Sequence, residues 1–492
     1  MILAVIIIYL ALVLSLGIFS HRFFRNTGED YFVASRNISW FMLLMSLFGT
    51  HMTAFSILGA SGEAYRKGIG VFALMASSSA IIVPCVFLFV GTRLWKLGKK
   101  FGYMTQVQYF RERWESQSLG LLLFIVLVLL LIPYLLIGVM GGGDTLAKIT
   151  DNKIPKWLGG LLICGVVLCY VTYSGMRGTA WVNTFQTLIF MGLGGVTFFV
   201  IMHRMGGLST ALENVTTSEN VATSLLMQKG HIKPLQLLTY TCIPLSVGMF
   251  PHIFSHCLTA KDVSTFKYPI IFYPLCIAVV WVPSVLLGIV GNIDFPNLER
   301  GEVNTVLIKM IHQHAPGVLA GLLGAGVFAA IMSSLDSQTL SIGSMFTNDI
   351  VRPYLNKKGQ EQISDKQHVW IGRLFVICIL SITYIISLIA NTSIFKLGIW
   401  SFTGFSGLFP IVVAALFWKG STKAGVLGSI ISVIVLWLYF FIKHWNTAGY
   451  TVGETGIMPV AVLILVSSIT LITVSLFTKP PTTETIGKFF TD

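Results

Sequence analysis

Charged residues are scarce in this sequence. Asp, Glu, Lys and Arg make up 11% of its 492 residues, whereas a typical soluble protein contains about 25%. Hydrophobic residues make up 54%, so most of the chain is expected to lie in lipid. The apolar runs are continuous and lack the alternating polarity of barrel strands, which excludes a membrane barrel. The sequence therefore predicts an all-α membrane protein.

Motifs for metal binding, disulfides and catalysis are also lacking. The seven cysteines show no CxxC spacing, so neither a zinc site nor a disulfide framework is indicated. There is no HExxH-type spacing, and the deep carboxylate Asp336 has no second aspartate in a facing helix. We expect no enzyme and no catalytic residues. The net charge of +13 is spread over loops and no long basic segment occurs, so we expect neither a nucleic-acid partner nor an obligate protein partner.

Thirteen apolar runs are long enough to cross a bilayer, whose core of roughly 30 Å needs about 20 residues per helix. The first begins at Met1 and is followed, not preceded, by basic residues, so we expect a retained helix and not a signal peptide. The runs lie near residues 1–20, 38–60, 70–92, 118–141, 157–175, 180–203, 236–258, 268–291, 316–346, 370–390, 396–418, 424–442 and 457–477.

The basic residues predict the orientation of these helices. With the N-terminus outside, 21 of the 33 Lys and Arg residues fall on the cytoplasmic side, as the positive-inside rule requires. An odd number of spans places the two termini on opposite sides. We expect a multi-pass protein of the cell membrane with an external N-terminus and a cytoplasmic C-terminus.

Two of the runs are interrupted at their centres. Run 38–60 contains Gly49, Thr50, His51, Thr53 and Ser56, and run 236–258 contains Pro244, Gly248, Pro251 and His252. Four spans separate them, so they open successive five-helix units, and two units of odd length must have opposite orientations. Irregular backbone at membrane depth persists only where it lines a cavity or is covered by protein. We expect an inverted five-plus-five helix core with a binding site between the two interrupted helices.

This organisation divides the chain into five parts. A leading helix and cytoplasmic loop precede the core, an external connection joins its two halves, and two trailing helices with a cytoplasmic tail follow it. The leading helix and loop are residues 1–37, the first repeat is 38–203 and the connection is 204–235. The second repeat is 236–418, and the trailing helices and tail are 419–492.

Run 316–346 carries polar residues where an apolar helix needs none. Ser333, Asp336 and Ser337 are spaced i, i+3, i+4 and share one helix face. A charged aspartate at the bilayer centre costs about 2.5 to 3.5 kcal/mol on insertion scales, so something must offset it. Hydroxyl, carboxylate and carbonyl oxygens suit a hard monovalent cation. The alternative is that the hydroxyls only stabilise helix packing.

Four stretches of sequence resemble the sodium/solute symporter family, which includes bacterial proline, sialic acid and sugar transporters. AAIMSSLDSQTLSIGSMFTNDIV is similar to its eighth core helix, YSGMRGTAWVNTFQTLIF to its fifth, FPHIFSHCLTAKD to the end of its sixth, and FSGLFPIVVAALFWKGSTKAG to its tenth. The resemblance covers about residues 30 to 425. It implies a LeuT-like inverted repeat that imports a small polar solute with sodium (Na+) by alternating access.

The resemblance also implies site residues. The first sodium would be held by Gly49, Met52, Ala330, Ser333 and Ser334. The solute would be bound by His51, Thr53, Ser56, Phe72, Met75, Ser79 and Tyr134, with Trp400 and Phe402 as gates.

One position departs from the family pattern. Many members have an aspartate in the fifth helix that supports a second sodium, and this sequence has Asn183 there. Asp336 and Ser337 fall where those members place eighth-helix ligands, so the carboxylate is expected to have moved from one helix to the other. The alternative is a protonated Asp336 that couples transport to protons instead.

The solute itself is not readable from the sequence. Ala76 replaces the acidic residue of sugar carriers, and no arginine accompanies Tyr134 as in sialic acid carriers. A solute-sensing receptor on the same scaffold is the main alternative function. The tail after residue 477 is too short for the signalling domain that such a receptor would be expected to carry.

Overall fold

The computed structural model describes residues 2–20, 22, 27–218, 232–299, 302–315, 317–353, 364–390, 392–445, 447 and 449–490. These residues form helices and no strand. The helices are α1 Ile2–Ser20, α2 Gly28–Val33, α3 Trp40–His51, α4 Phe55–Lys67, α5 Gly70–Phe101, α6 Gln106–Arg113, α7 Gln117–Ile149, α8 Lys156–Tyr173, α9 Gly175–Arg204, α10 Leu208–Thr217, α11 Pro234–Gly248, α12 Pro251–Leu258, α13 Val263–Asp294, α14 Val306–His314, α15 Gly317–Val351, α16 Gln367–Ile389, α17 Ile394–Phe417, α18 Lys423–His444, α19 Pro459–Leu476 and α20 Thr483–Phe489.

The predicted all-α membrane fold is confirmed. In the described part of the chain, 11 helices are long and apolar enough to cross a membrane, and the number becomes 13 when each of two bent pairs counts as one span. The bent pairs are α3 with α4, at 59°, and α11 with α12, at 52°. They are the two runs whose interruption the sequence predicts.

Each bend has a local cause. At the first, Met52 leaves the helical region with φ −84° and ψ 99°, and the Thr53 hydroxyl accepts a hydrogen bond of 3.0 Å from the Phe55 amide at the start of α4. At the second, Phe250 is extended, with φ −68° and ψ 120°. Phe250 precedes Pro251, whose ring disfavours helical backbone in the residue before it.

Several helices are longer than the apolar runs that predicted them. α5 continues to Phe101, past the apolar run that ends at residue 92. Its last turns contain basic residues, which are compatible with a helix but lower the mean hydropathy, so hydropathy alone does not predict them.

α8 and α9 are joined by a kink at Gly175 instead of a loop. The φ of Gly175 is +61°, and a Cβ there would lie 2.5 Å from the Tyr31 ring, so both backbone and space require glycine. The external connection's residues 219–231 lie outside the described residues.

The core is centred on α15. Of the residues in its most apolar stretch, 83% are buried, against 22% for α1. α15 packs on α3, α7 and α9, so its polar face is enclosed by protein and not by lipid. The trailing helices α18 and α19 pack together through a hydrogen bond of 2.8 Å between Ser429 and Ser467.

A buried ion pair lies at the end of the protein that the charge distribution predicts to be cytoplasmic. Arg177, at the start of α9, reaches Asp30 of α2 with Nη2 2.6 Å and Nε 3.1 Å from Oδ1, and the Asp30 side chain is fully buried. Ser35 donates a further hydrogen bond of 2.7 Å to the same oxygen. Arg177 also donates to the Ala34 carbonyl, at 3.1 Å. These contacts tie the segment before the broken helix to the core.

Candidate functional site

The end of α3 meets the polar face of α15 at a cluster of oxygen atoms. The Ser333 hydroxyl lies 2.9 Å from the Gly49 carbonyl oxygen and 3.1 Å from that of Ala330. The Ser334 hydroxyl lies 3.0 Å from the Ile331 carbonyl and 3.5 Å from that of Ala330. Four of the five residues predicted to hold the first sodium are therefore neighbours.

The backbone at the break explains why carbonyl oxygens collect there. The last carbonyls of a helix have no partner within it, and they form the negative end of its dipole. Met52, the fifth predicted ligand, is fully buried and is the first residue beyond α3. The Met52 amide still donates a helical hydrogen bond of 2.9 Å to the Phe48 carbonyl. The φ and ψ of Met52 are no longer helical, so the chain departs from the helix at this residue. The arrangement suits a cation and would repel an anion.

Gly49 sets how closely α3 approaches α9. A Cβ at this position would lie 2.1 Å from the Thr187 hydroxyl oxygen. That hydroxyl donates a hydrogen bond of 3.0 Å to the Met45 carbonyl and so holds the two helices together. The position of the Gly49 carbonyl thus depends on the absence of a side chain.

A second cluster is centred on the Ser337 hydroxyl, one turn further along α15. Its oxygen lies 2.8 Å from Asn183 Nδ2, 2.9 Å from His256 Nε2, 3.0 Å from Asp336 Oδ1 and 3.3 Å from the Ser333 carbonyl. All five side chains are buried. The three residues predicted to form a second cation site, Asn183, Asp336 and Ser337, are therefore in contact with one another.

Both oxygens of Asp336 have hydroxyl partners. Tyr170 of α8 donates to Oδ2 at 2.8 Å, and Oδ1 faces Ser337. Among the residues that the structure describes, no basic side chain forms an ion pair with Asp336. The Asn183 amide oxygen, also buried, has no hydrogen-bond partner there. A carboxylate and an unpartnered amide oxygen thus lie beside the same hydroxyl.

An aromatic cluster adjoins these two clusters. The Tyr134 ring lies 4.9 Å from that of Phe402, 5.3 Å from Phe250 and 5.5 Å from His252, measured between ring centroids. His252 is fully buried, and neither of its ring nitrogens has a hydrogen-bond partner among the described residues. The Tyr134 hydroxyl faces Thr53 but makes no hydrogen bond of ordinary geometry. Polar groups at this depth without partners are typical of a ligand site.

The other residues predicted to bind the solute occupy varied places. The His51 ring is hydrogen-bonded by the Tyr273 hydroxyl of α13. Ser56 and Met75 are buried in α4 and α5. Phe72 is half-buried and Ser79 is buried, both also in α5. Their role in solute binding stays a prediction.

Several residues in and around these clusters were not selected from the sequence as site residues. They are Tyr170, Phe250, His252, His256 and Tyr273. His252 enters the sequence analysis only as an interruption of its apolar run. Both histidines follow Pro251 within that run, and this signal could have found them, because polar groups at membrane depth are seldom without function.

The family comparison decides what kind of protein carries this arrangement. A family model described as "Sodium:solute symporter family" matches residues 31–432. The chain belongs to the sodium:solute symporter family. The family consists of transporters and not enzymes, so the protein is a membrane transporter of the sodium-coupled symporter class.

Relatives and solved structures agree with this membership. The sodium/pantothenate symporter of Haemophilus influenzae is 24% identical over 442 residues, covering 87% of each chain. The sodium/proline symporter of the same organism is 24% identical over 503 residues, covering 98% of this chain and 95% of the relative. A solved Na+-coupled sialic acid symporter, in a substrate-bound outward-open state with a novel Na+ site, superposes with a TM-score of 0.79 at 18% identity, covering 97% and 98% of the two chains. That similarity concerns the fold, and it confirms the predicted LeuT-like inverted repeat.

Proposed function

We propose that the protein imports a small polar solute together with sodium, by alternating access around the site between α3 and α15. The observation that carries the proposal is the 2.9 Å approach of the Ser333 hydroxyl to the Gly49 carbonyl, where a broken helix exposes its last carbonyls. Sodium bound there by Gly49, Met52, Ala330, Ser333 and Ser334 would join α3 to α15. Its binding would thus be sensitive to any movement of one helix against the other.

The cluster around Ser337 supports a second cation site. The Ser337 hydroxyl has a single proton and two lone pairs. If it accepts from Asn183 and His256, its own proton is donated to Asp336, and Tyr170 supplies a second donor to the same carboxylate. This assignment gives a donor and an acceptor to each of these contacts, apart from the long one to the Ser333 carbonyl, and it is compatible with an ionised Asp336. A sodium ion would then neutralise the buried charge.

Two cations would strengthen the driving force for transport. The membrane potential contributes about 2.3 kcal/mol per 100 mV for each net charge moved, so a second sodium doubles that part of the driving force for an uncharged or zwitterionic solute. The Asn183 amide oxygen, the Asp336 carboxylate and the Ser337 hydroxyl are the ligands that we assign to it, and Ser337 would give up the hydrogen bond from His256 to free a lone pair for the ion. The charge that many family members carry on the fifth helix would here be supplied by α15.

Proton coupling is the competing proposal for this cluster. A protonated Asp336 would have to donate to an acceptor, and the nearest groups, Tyr170 and Ser337, are hydroxyls that can also accept. If His256 Nε2 accepts the Ser337 proton, that proton is not available to Asp336, which would then have to donate to Ser337. A solute-sensing receptor is a further alternative, and no observation in the structure favours it over transport.

Uptake into proteoliposomes tests the proposal. A panel of labelled solutes, beginning with pantothenate and proline because relatives carry these names, is offered first with an inward sodium gradient and then with a proton gradient. We expect at least one solute to accumulate with the sodium gradient only. Accumulation driven by protons in the absence of sodium would contradict the proposal, as would solute binding without accumulation under either gradient.

A further inference from the structure

The leading helix α1 contacts the rest of the protein along one narrow face. The spacing of its buried residues, three or four apart, places them in a single row along the helix: Ile6, Tyr9, Val13, Gly17 and Ser20. This row packs on the α8–α9 unit and on α15, the helices that carry the cluster around Ser337. Tyr9, in the middle of the row, therefore points into the protein and not into lipid.

Gly17 allows α1 to lie directly against Tyr170 of α8. A Cβ at position 17 would collide with the Cβ of Tyr170 and lie 3.1 Å from its Cγ. Because a Cβ is fixed to the backbone, only a movement of α1 or α8 could relieve that collision. Tyr170 is fully buried, and its hydroxyl donates the 2.8 Å hydrogen bond to Asp336 Oδ2. The position of this donor thus depends on the absence of a side chain at Gly17.

Tyr9 approaches the same carboxylate through Gln186 of α9. The buried Gln186 amide faces the hydroxyls of both Tyr9 and Tyr170. Among the described residues, neither the Tyr9 hydroxyl nor the Gln186 amide has a hydrogen bond of ordinary geometry. An amide can accept from one hydroxyl and donate to another. A rotation of the Gln186 side chain would therefore join Tyr9 and Tyr170 in one network that ends on Asp336.

We propose that Tyr9 and Gly17 are positioning residues for the second cation site. Through them, α1 holds the Tyr170 hydroxyl and the Gln186 amide against Asp336 and so sets how tightly the site binds sodium. Groups that orient a metal ligand from behind make the ion bind more tightly. α1 precedes the predicted inverted repeats, so a helix outside the ten-helix core would control cation binding. This inference rests on the proposed function, because it takes Asp336 to be a sodium ligand.

The test measures sodium binding without transport. Full-length protein in nanodiscs is titrated with sodium chloride in the absence of solute, with choline chloride keeping the ionic strength constant. An ion that binds only the folded protein raises the melting temperature, so the sodium concentration that gives a set rise reports the affinity. Loss of a group that orients a metal ligand weakens metal binding about 10- to 100-fold. We expect that concentration to increase about tenfold in Gly17→Ala, which displaces Tyr170, and about threefold in Tyr9→Phe, which acts one step further from the ion.

Each variant has a matched control. Gly321→Ala creates a similar collision with α1, because its Cβ would lie 2.9 Å from that of Val5. Gly321 is about four helical turns before Asp336 on α15, so this variant should lower the melting temperature in choline but leave the sodium dependence unchanged. Tyr109→Phe also removes a buried hydroxyl that has no hydrogen-bond partner in the described part of the chain. Tyr109 lies in α6, away from Asp336, so the sodium dependence should again be unchanged.

The Asp336→Asn background shows whether α1 acts through the carboxylate. There, Tyr9→Phe and Gly17→Ala should cause no further change in the sodium dependence. Three results would overturn the inference: wild-type sodium dependence in Tyr9→Phe, equal effects of Gly17→Ala and Gly321→Ala, or an effect of Tyr9→Phe that persists undiminished with Asp336→Asn.

Failure of the proposed function looks different in the same titration. If sodium raised the melting temperature of the wild type no more than choline does, sodium coupling would fail, and this inference would fall with it. If Asp336→Asn alone kept the wild-type sodium dependence, the second cation site would fail while the first remained.

Discussion

Substitution of Gly49 by alanine should weaken sodium binding although it adds no polar group to the site. The new methyl carbon would lie 2.1 Å from the Thr187 hydroxyl oxygen, far inside contact distance. Either Thr187 rotates and gives up its 3.0 Å hydrogen bond to the Met45 carbonyl, or α3 moves away from α9. Both responses disturb the end of α3, where the Gly49 carbonyl faces Ser333.

The expected magnitude follows from those contacts. A buried hydrogen bond contributes about 0.5 to 1.5 kcal/mol net, and overpacking a well-packed interior costs about 1 to 3 kcal/mol. If about 1.4 kcal/mol of this cost falls on the sodium-bound arrangement, the sodium affinity decreases tenfold. We therefore expect the half-saturating sodium concentration of Gly49→Ala to rise by about tenfold or more.

The assay is solute uptake or binding in proteoliposomes as a function of external sodium. Thr187→Ala removes the atom that collides, so Gly49→Ala with Thr187→Ala should recover much of the affinity that Gly49→Ala loses. The Thr187→Ala variant alone completes the double-mutant cycle with wild type, Gly49→Ala and the double variant. Wild-type sodium dependence in Gly49→Ala would refute the reasoning, and so would a double variant no better than the single one.

Three further predictions concern the cluster around Ser337, the Arg177–Asp30 ion pair and the orientation. Asp336→Asn should lower the sodium stoichiometry, and Asn183→Asp with Asp336→Ser should restore part of it; unchanged stoichiometry, measured from reversal potentials, would exclude the second cation site. Breaking a buried ion pair costs about 3 to 5 kcal/mol. If the Arg177–Asp30 pair holds the predicted cytoplasmic side closed while the solute binds from outside, Arg177→Gln should lower the external solute affinity at least tenfold, and adding Asp30→Asn should recover some of it in binding assays; an unchanged affinity in Arg177→Gln would contradict that role. On a cysteine-free background, an impermeant thiol reagent should label Lys443→Cys but not Lys479→Cys in intact cells, and the reverse pattern would invert the topology.

Much of the fold could be predicted because its signals are local. A run of apolar residues predicts a span wherever it occurs, and the Gly and Pro residues of runs 38–60 and 236–258 mark the two bends without reference to any partner. The helix ends were less predictable. The basic turns that carry α5 to Phe101 continue the helix in water, where hydropathy gives no signal.

The candidate site was predictable to the extent that its residues share one helix face. Ser333, Asp336 and Ser337 follow from spacing within α15, and the structure brings Gly49 and Asn183 to them, although their sodium ligation stays a prediction. Tyr170 and His256 could not be assigned in this way. Each meets the cluster only through the packing of a different helix, and a lone tyrosine or histidine in an apolar run does not indicate which helix it will face.

Sodium titration of uptake in Ser333→Ala with Ser334→Ala tests the central claim most directly. Ser341→Ala is the control, since Ser341 is a buried serine of the same helix whose hydroxyl contacts Ser255 and no candidate ligand. The account predicts that the double variant, at equal protein abundance, loses sodium-dependent uptake in the concentration range where the Ser341→Ala control and wild type saturate. Uptake by the double variant with wild-type sodium dependence would contradict it.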